Sequence, residues 1–477
     1  MTETPTQLLH RVTSYDLVRD WDAPFEHPQA IGDFVSTDLS TLPYFYKRYP
    51  AGLPRVPLPR ELPTTTVPAV AVLAGTTKVP PASLDLPQIA RLLHLSAGVV
   101  RTSQRSYGPH PFRAAGSAGG RFPLEVYVAV PDGTELPAGL HWYDAQDHAL
   151  VLVGPPPDAG APTLVVTGIP WRTGWRYRER GYRHIYWDAG TMLAQTLAVA
   201  DSAGITAELY SRFPDTQVTQ LVGADGVQEF PVAVVALGGG PPALAGDGPA
   251  APGEVDAAPR EFPLVTSAQH AGDADTLGTR WPRGESVDVE GSASDPVEAV
   301  VLVRGSQRLM DAGRGLPLDT LRTSMRIALR GIDLPHHVVV HDVDGLEPGV
   351  YRWPDLSAPT RPGRLRERMY QVCLDQGLGR DAAFVAIAAT DVGRLDDHEY
   401  RDVHLAAGLA MSRLHLVAYG LGASASGMTF IDSEMPELLG EPVDGLLLTC
   451  VGVPEYKSSP GGRPGDPTAV RRMQPRL

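Results

Sequence analysis

The stretch DAGTMLAQTLAVADSAGITAELY, residues 188–210, decides the fold because LAAGLAMSRLHLVAYGLGASASGM, residues 405–428, repeats its pattern. Each stretch contains two glycines 14 residues apart, Gly190 with Gly204 and Gly408 with Gly422. The residues between each pair are apolar on most sides, which is typical of a buried helix, and the closing glycine suits a helix C-cap. The sequence therefore predicts two long buried helices, one in each half of the chain.

The segments around these helices repeat as well. LEVYVAVPDGTELPAGLHWYD (124–144) and HHVVVHDVDGLEPGVYRWPD (336–355) each join two alternating apolar runs through a glycine-containing turn, which predicts a hairpin. After each helix, LVGADGVQEFPVAVVALG (221–238) and LLGEPVDGLLLTCVGV (438–453) each predict a short turn segment that leads into a buried strand. We expect an α+β fold of two tandem domains, with antiparallel-rich sheets covered by helices, packed as an internal pseudo-dimer. The alternative is two α+β domains that merely touch.

Composition shifts suggest the domain boundaries. Residues 1–90 are rich in proline, which predicts an extended N-terminal arm. Residues 239–296 are rich in Gly, Pro, Ala and Asp, which predicts a linker. We expect the two folded domains at residues 91–238 and 297–477.

The overall composition narrows the function classes. The 477 residues carry a formal net charge of −14, which argues against a nucleic-acid binder. The two cysteines, Cys373 and Cys450, form no metal-binding pair, and we expect buried thiols and no metal site. The N-terminus lacks the features of a signal peptide, and no apolar run is long enough to cross a membrane, so a cytoplasmic protein is expected.

Two segments are candidates for a shared ligand site. RAAGSAGG, residues 113–120, places small side chains just before a strand, where the backbone can approach a flat ligand closely. In RGSQR, residues 304–308, two guanidinium groups and a hydroxyl follow a short apolar run that reads as a strand, and together they suit a phosphate. Each segment occurs in only one half, so the pseudo-dimer interface would join them into one site. The alternative for each is a loop that serves only the fold.

The segment WRTGWRYRERGYRH, residues 171–184, contains five arginines among tryptophans and tyrosines. One interpretation is a substrate-facing wall, in which aromatic rings stack on the substrate and arginines hold acidic or carbonyl groups. The other is a solvated loop that precedes the first buried helix.

Taken together, these motifs resemble the nitroreductase superfamily of FMN enzymes. The closest resemblance is to its SagB/ThcOx branch, the azoline dehydrogenases of thiazole- and oxazole-forming peptide maturation. LLHLSAGVVR (92–101), FRAAGSAGGRFPLEVYVAV (112–130) and the arginine-rich segment carry this resemblance, together with RGSQR. It extends over nearly the whole chain and implies two tandem nitroreductase-like domains and an FMN cofactor.

The resemblance also implies which residues bind FMN. The phosphate would be held by Arg304, Ser306 and Arg308, completed by Arg463 or, as second choice, Lys457. The small-residue loop, with Arg113, Ser117, Ala118 and Gly119, would line the flavin ring. The loop after the second buried helix would approach the ring from the other side, with Ser424, Ala425, Ser426 and Gly427.

One position departs from the family pattern. The dehydrogenases carry a catalytic Lys-Tyr pair where this chain has Arg176 and Tyr177. Arginine stays protonated and cannot accept the substrate proton, so Tyr177 would have to serve as the base. The change therefore weakens the expectation of azoline oxidation without affecting flavin binding.

The function implied is oxidation of a peptide-derived substrate, azoline to azole, with dioxygen as the final oxidant. A modified precursor peptide and a cyclodehydratase complex are the implied partners, and a homodimer is an open alternative for the assembly. The competing hypotheses are an NAD(P)H-dependent nitroreductase or flavin reductase, and a scaffold subunit that has lost its flavin.

Overall fold

The structure is a computed structural model that describes residues 3–16, 38–249, 251–289 and 294–471. Parts of the predicted arm and linker, residues 17–37, 250 and 290–293, lie outside the described residues.

The described residues form helices and strands that alternate along both halves of the chain. The helices are α1 Pro5–Thr13, α2 Ala69–Ala74, α3 Leu86–Ala97, α4 Pro170–Tyr177, α5 Gly181–Ser202, α6 Asp215–Val222, α7 Pro263–Ala271, α8 Val297–Val303, α9 Leu318–Ala328, α10 Arg366–Val372, α11 Gly377–Asp381, α12 Asp397–Gly420 and α13 Met435–Leu439. The strands of the first half are β1 Arg55–Pro57, β2 Val99–Arg105, β3 Gly108–Arg113, β4 Leu124–Val130, β5 Gly139–Asp144, β6 Ala149–Gly154, β7 Thr163–Gly168, β8 Ala207–Tyr210 and β9 Phe230–Leu237. Those of the second half are β10 His336–Val340, β11 Gly349–Arg352, β12 Arg361–Pro362, β13 Phe384–Thr390, β14 Ser424–Met428, β15 Asp444–Gly452 and β16 Thr468–Ala469.

Each half contains one large antiparallel sheet, and the two large sheets share a strand order. The first runs β1-β6-β5-β4-β7-β9-β8, and the second runs β12-β11-β10-β13-β15-β14. The five strands β5-β4-β7-β9-β8 therefore correspond in order to β11-β10-β13-β15-β14. This confirms the predicted α+β class, the two hairpins and the tandem repeat.

The long helices α5 and α12 pack against each other at their central glycines. A Cβ on Gly190 would overlap the backbone of Leu405 and Leu409, and a Cβ on Gly408 would overlap that of Trp187. Only glycine allows backbones to approach so closely. One hydrophobic core runs across both helices and includes residues of both halves, such as Leu193 and Leu409. The halves therefore form the predicted pseudo-dimer and do not merely touch.

The helix ends follow the sequence signals. Helix α12 begins with a capping box, in which Asp396 and Glu399 satisfy each other's backbone N–H groups. Helices α5 and α12 end just before Gly204 and Gly422, which have φ of 72° and 80°. The left-handed conformation of these glycines stops each helix where the spacing predicts.

The N-terminal region and the linker contain more structure than the sequence suggests. Residues 1–90 hold α1, α2, β1 and the start of α3, so the described part is not a plain extended arm. Residues 239–296 hold α7, and the linker backbone reaches the first half's core where Val287 N–H donates to Ala74 O at 2.9 Å. The proline and glycine content of these segments did not reveal the helices and strands, because these elements are stabilised by packing against the two domains.

The end of the chain crosses from the second half to the first. Strand β16 pairs in parallel with β2, which with β3 forms a three-stranded sheet. Just before it, Gly461 N–H donates to Leu302 O and Gly462 N–H donates to Val100 O, both at 2.7 Å. This crossover brings the end of α8 against the first half's β2.

Both cysteines are buried and free, as the sequence predicts. Among the described helices, none has the length and apolar composition that crossing a lipid bilayer requires.

Candidate functional site

Arg304 lies at the boundary between the two halves, at the C-terminal end of α8. Its side chain is only 3% exposed, and its guanidinium donates to the carbonyl oxygen of Ala114 in the small-residue loop. A Cβ added to Gly116 would lie 3.2 Å from Arg304 Nη1. The structure thus brings together the two segments that the sequence proposes as parts of one site.

Arg304 is a buried cation without a carboxylate partner among the described residues. Its Nε has no hydrogen-bond partner there, and its charged neighbour is a second arginine, Arg101. Burial, reinforced by Arg101, lowers the pKa of Arg304 to about 10. A buried, uncompensated guanidinium is expensive in free energy, and an anion that binds there would offset this cost.

His415 is a member of this site that the sequence analysis missed. It lies on α12, is 3% exposed, and neither ring nitrogen has a hydrogen-bond partner among the described residues. Burial and the charge of Arg304 lower its pKa to about 3, so the ring is neutral. Its place in an apolar helical repeat gave no signal that it faces a cation.

The rest of the 304–308 segment runs beside β14. Gln307 N–H donates to Ala425 O at 3.0 Å, and Arg308 N–H donates to the Tyr456 hydroxyl at 3.1 Å. The side chains of Ser306 and Arg308 are exposed at the edge of the site, whereas Arg304 is buried at its base. The 304–308 segment thus lies beside Ala425, and helix α8, not the expected strand, precedes it.

The 424–427 segment is a strand and not the expected loop. Ser424, Ala425 and Ser426 are buried in β14, which pairs with β15. Ser424 Oγ donates to Gly452 O at 2.9 Å, and Ser426 Oγ lies 3.5 Å from Gly427 O. A Cβ on Gly427 would overlap Met411 Sδ. Both hydroxyls are therefore engaged within the sheet, and Ala425 is the residue tied directly to the 304–308 segment.

Asp188 of helix α5 fixes the small-residue loop. Ser117 Oγ donates to Asp188 Oδ2 at 2.5 Å, and Ala118 N–H donates to Oδ1 at 3.0 Å. Burial raises the pKa of Asp188 to about 7, and its two hydrogen bonds partly oppose that rise. The sequence analysis missed this residue, although an acid inside a long apolar helix is a signal for a buried polar role.

Tyr177 and Arg176 lie over the same loop. A Cβ on Gly119 would lie 2.5 Å from the Tyr177 hydroxyl and 3.1 Å from Arg176 Cδ, and Gly119 itself has φ of 59°. Both the space and the backbone conformation at this position require glycine. The predicted catalytic pair and the predicted ring-lining loop are thus direct neighbours.

Two buried side chains support Tyr177. The His184 ring makes an edge contact with it, with ring centroids 4.2 Å apart. Burial, together with Arg180 and Arg183, holds the pKa of His184 well below its usual range, so this ring is neutral. Arg121 is buried close enough to interact electrostatically with Tyr177, and burial lowers its pKa to about 10.

Most of the arginine-rich segment is structural, which corrects the substrate-wall interpretation. Arg172 pairs with Glu125 at 2.5 Å, and Arg180 and Arg183 pair with Asp432 at 2.8 and 2.7 Å. All three guanidinium groups are buried. Asp432 belongs to the second half, so Arg180 and Arg183 bind the two domains together. Only Arg176 is exposed and Arg178 partly so.

Two predicted cofactor residues lie elsewhere. Arg113 is buried, donates to Phe45 O at 3.1 Å and lies over the Tyr46 ring. Arg463 is 75% exposed and reaches the exposed Glu61, because a turn closed by Asp466 directs its side chain outward. The contacts of Arg113 and Arg463 thus separate them from the group around Arg304.

Lys457, the second choice for the phosphate site, is exposed. Its neighbours Tyr456 and Ser458 contact the 304–308 segment, so Lys457 remains close to that segment.

Comparisons with known proteins agree with this architecture. No family model matches the chain. A curated "putative nitroreductase" of Methanocaldococcus jannaschii is 23% identical over 171 residues, which cover 32% of this chain and 81% of that protein. A solved structure with the same description, from Anabaena variabilis, covers 95% of this chain and 100% of its own, with a TM-score of 0.69 and 22% identity.

A second kind of solved structure also matches. The E. coli microcin synthetase McbBCD complex with truncated pro-MccB17 bound covers 49% of this chain and 91% of the matched chain, with 18% identity and a TM-score of 0.29. The full-length match from Anabaena variabilis and the repeated strand order show that this chain has a nitroreductase-like fold, with two copies of the α+β unit in one polypeptide.

Proposed function

We propose that the chain is an FMN-dependent oxidoreductase with a single flavin site between its two halves. The observation that carries this proposal is the buried guanidinium of Arg304. It comes from the second half, contacts the small-residue loop of the first half, and has no carboxylate partner among the described residues. A phosphate is the anion that such a group would hold best.

The residues around Arg304 fit the FMN phosphate and ring. The unpartnered Nε of Arg304 and the exposed side chains of Ser306 and Arg308 supply donors for phosphate oxygens. The backbone of the small-residue loop lies directly against this guanidinium, since a Cβ on Gly116 would lie 3.2 Å from Arg304 Nη1.

Bound FMN would supply a two-electron acceptor, which no side chain of the protein can provide. The protein's own part is to orient the substrate and to manage one proton. Tyr177 is the group placed to take that proton, because its hydroxyl lies over Gly119 and is close to the guanidinium groups of Arg121 and Arg176. Arg176 and Arg121 would stabilise the phenolate, and the arginines themselves stay protonated.

We further propose that the substrate is a peptide-borne azoline, oxidised to the azole. This reaction removes two electrons and two protons from the ring, and dioxygen would accept them to give hydrogen peroxide. Support comes from the SagB/ThcOx-like motifs in the loop and the arginine-rich segment. The exposed Arg176 and partly exposed Arg178 offer positive charge to a peptide beside Tyr177.

The experiment is to purify the protein, identify any bound flavin, and incubate it in air with an azoline-containing peptide. Mass spectrometry should show loss of two hydrogen atoms from the peptide, with hydrogen peroxide formed in equal amount. A thioether or amide analogue without the azoline ring is the control. A yellow protein that leaves the azoline unchanged but oxidises NADPH with a nitroaromatic would instead indicate a nitroreductase. A protein that neither retains nor binds FMN would indicate a flavin-free scaffold.

A further inference from the structure

A second groove lies beside the C-terminal end of α5, and its lining does not include Arg304. Its volume is about 700 Å³, which is within the range of small-molecule sites. The ends of α2 and α5, strand β8, the linker and the second half's Arg330 all contribute to its walls. The residues that matter most are Gly75, Thr77, Asp201, Trp281, Arg283 and Arg330.

The internal repeat relates this groove to the proposed flavin site. Helices α2 and α8 are counterparts, because each follows a proline and the two prolines, Pro68 and Pro296, form an antiparallel bridge. Gly75 caps α2 as Arg304 caps α8, although α2 is one residue shorter. Counted from the two prolines, Thr76 corresponds to Arg304 and Thr77 to Gly305. Thus the groove occupies the pseudo-symmetric position, but it lacks the arginine at the end of the helix.

Arg330 supplies a guanidinium there from the opposite half. Its guanidinium lies so close to Gly75 that a Cβ on that residue would overlap it. Its Nε is buried, and its guanidinium makes no ion pair or hydrogen bond among the described residues. The other arginines of the groove are neutralised: Arg283 pairs with Asp201 at 3.0 Å, and Arg280 pairs with Glu208. Asp201 also interacts electrostatically with Arg330. With three arginines and two carboxylates in its lining, the groove carries one net positive charge.

Trp281 gives the groove a flat apolar wall. Its backbone N–H donates to Leu209 O at 2.7 Å, which anchors the linker on β8. Its indole Nε1 is buried without a partner among the described residues. Aromatic side chains in this setting favour planar ligands.

From these features we propose that the groove binds a small phosphorylated planar molecule of the mononucleotide class. Arg330 and Thr77 bind the phosphate, and Trp281 packs on the ring. This site is separate from the Arg304 site and is formed by other residues. The proposal of nucleotide binding therefore does not depend on the proposed flavin chemistry.

Adenosine 5′-monophosphate is the probe, titrated by calorimetry into the purified protein with its bound flavin, and inorganic phosphate is titrated in parallel. We expect saturable binding of the nucleotide with Kd below about 1 mM, tighter than that of phosphate alone. Arg330→Met should weaken it about tenfold, because the variant loses a charged hydrogen-bond donor. Arg326→Met, an exposed arginine one turn earlier on α9, is the matched control and should bind as the wild type does.

Two further variants keep the test decisive. Thr77→Val should also weaken nucleotide binding. If Arg330→Met does not fold, the nucleotide affinity of Thr77→Val is the measurement that tests the proposal. Arg304→Ala should lose flavin but keep nucleotide binding. The proposal is overturned if the wild type shows no saturable binding, if nucleotide affinity is unchanged in the folded groove variants, or if it is Arg304→Ala that abolishes it.

Discussion

At the scale of single residues, Asp188 links the small-residue loop to the buried helix α5 through Ser117 and Ala118. Its pKa of about 7 in the folded protein is well above the value near 3.9 of an unfolded chain. Between these values the folded protein binds more protons than the unfolded one, so this residue makes stability fall as pH rises from about 4 to about 7.

Asp188→Asn should remove that part of the pH dependence. The wild type should lose up to about 4 kcal/mol of unfolding free energy relative to the variant across this pH range. Denaturant unfolding of both proteins at several pH values measures the difference. Parallel pH profiles would mean that Asp188 does not carry the buried proton.

Replacing the two arginines of the 304–308 segment should empty the flavin site. Arg304→Ala with Arg308→Ala is expected to give a folded, colourless protein, since the buried donor for the phosphate is gone. Arg463→Ala is the matched control and should keep its flavin, because that side chain lies at the surface beside Glu61. Full flavin occupancy in the double variant would disprove the phosphate assignment, and circular dichroism reports folding.

Tyr177→Phe should separate catalysis from cofactor binding. Loss of the hydroxyl should lower turnover about 100-fold or more while flavin content stays near that of the wild type. Tyr107→Phe, which changes an exposed tyrosine of the β2–β3 hairpin, should have little effect. Equal loss of turnover and flavin in Tyr177→Phe would make this residue structural.

At the scale of elements, the crossing of α5 and α12 holds the two halves together. Gly190→Val would force side-chain atoms into the backbone of Leu405 and Leu409. Overpacking of this kind should cost about 3 kcal/mol or more of unfolding free energy. Gly52→Ala is the control, because a Cβ there meets nothing within 4 Å. A change below about 0.5 kcal/mol in Gly190→Val, measured by denaturant unfolding, would contradict the close crossing.

The elements that the sequence predicted correctly carry strong local signals. Helices α5 and α12 have long apolar stretches that end at glycine, and the β4–β5 and β10–β11 hairpins alternate around a turn. The elements that it predicted wrongly depend on tertiary contacts. The valine-rich α8 reads as a strand, yet Pro296 starts it as a helix that packs on the core. Strand β14 reads as a glycine-rich loop, yet β15 supplies its partner.

The candidate site shows the same division. The motifs suggested that the 113–120 loop and the 304–308 segment meet, and in the structure Arg304 contacts Ala114. The family resemblance suggested a role for Tyr177, whose hydroxyl lies beside Gly119. The sequence could not show which arginines form ion pairs within the protein. Arg180 and Arg183 were therefore interpreted as available to a substrate, although Asp432, far along the chain, pairs with both. The sequence also could not show that the chain turns Arg113 and Arg463 away from Arg304.

At the scale of the whole molecule, the two halves share a fold but differ where ligands would bind. Beside the C-terminal end of α12 lies the buried Arg304, and beside the C-terminal end of α5 lies Gly75 with Arg330 against it. A symmetric pair of nitroreductase-like units would present two equivalent sites. This chain should therefore hold one FMN, and the groove beside α5 should take a different ligand.

The most direct test of the central claim is the ratio of FMN to polypeptide. Protein saturated with FMN and freed of excess cofactor would be denatured, and the released flavin measured by absorbance against protein concentration from amino-acid analysis. The single site between the halves predicts a ratio of one. A ratio of two would show that the groove beside Arg330 binds flavin as well, and a ratio of zero would show that the buried Arg304 holds no flavin at all.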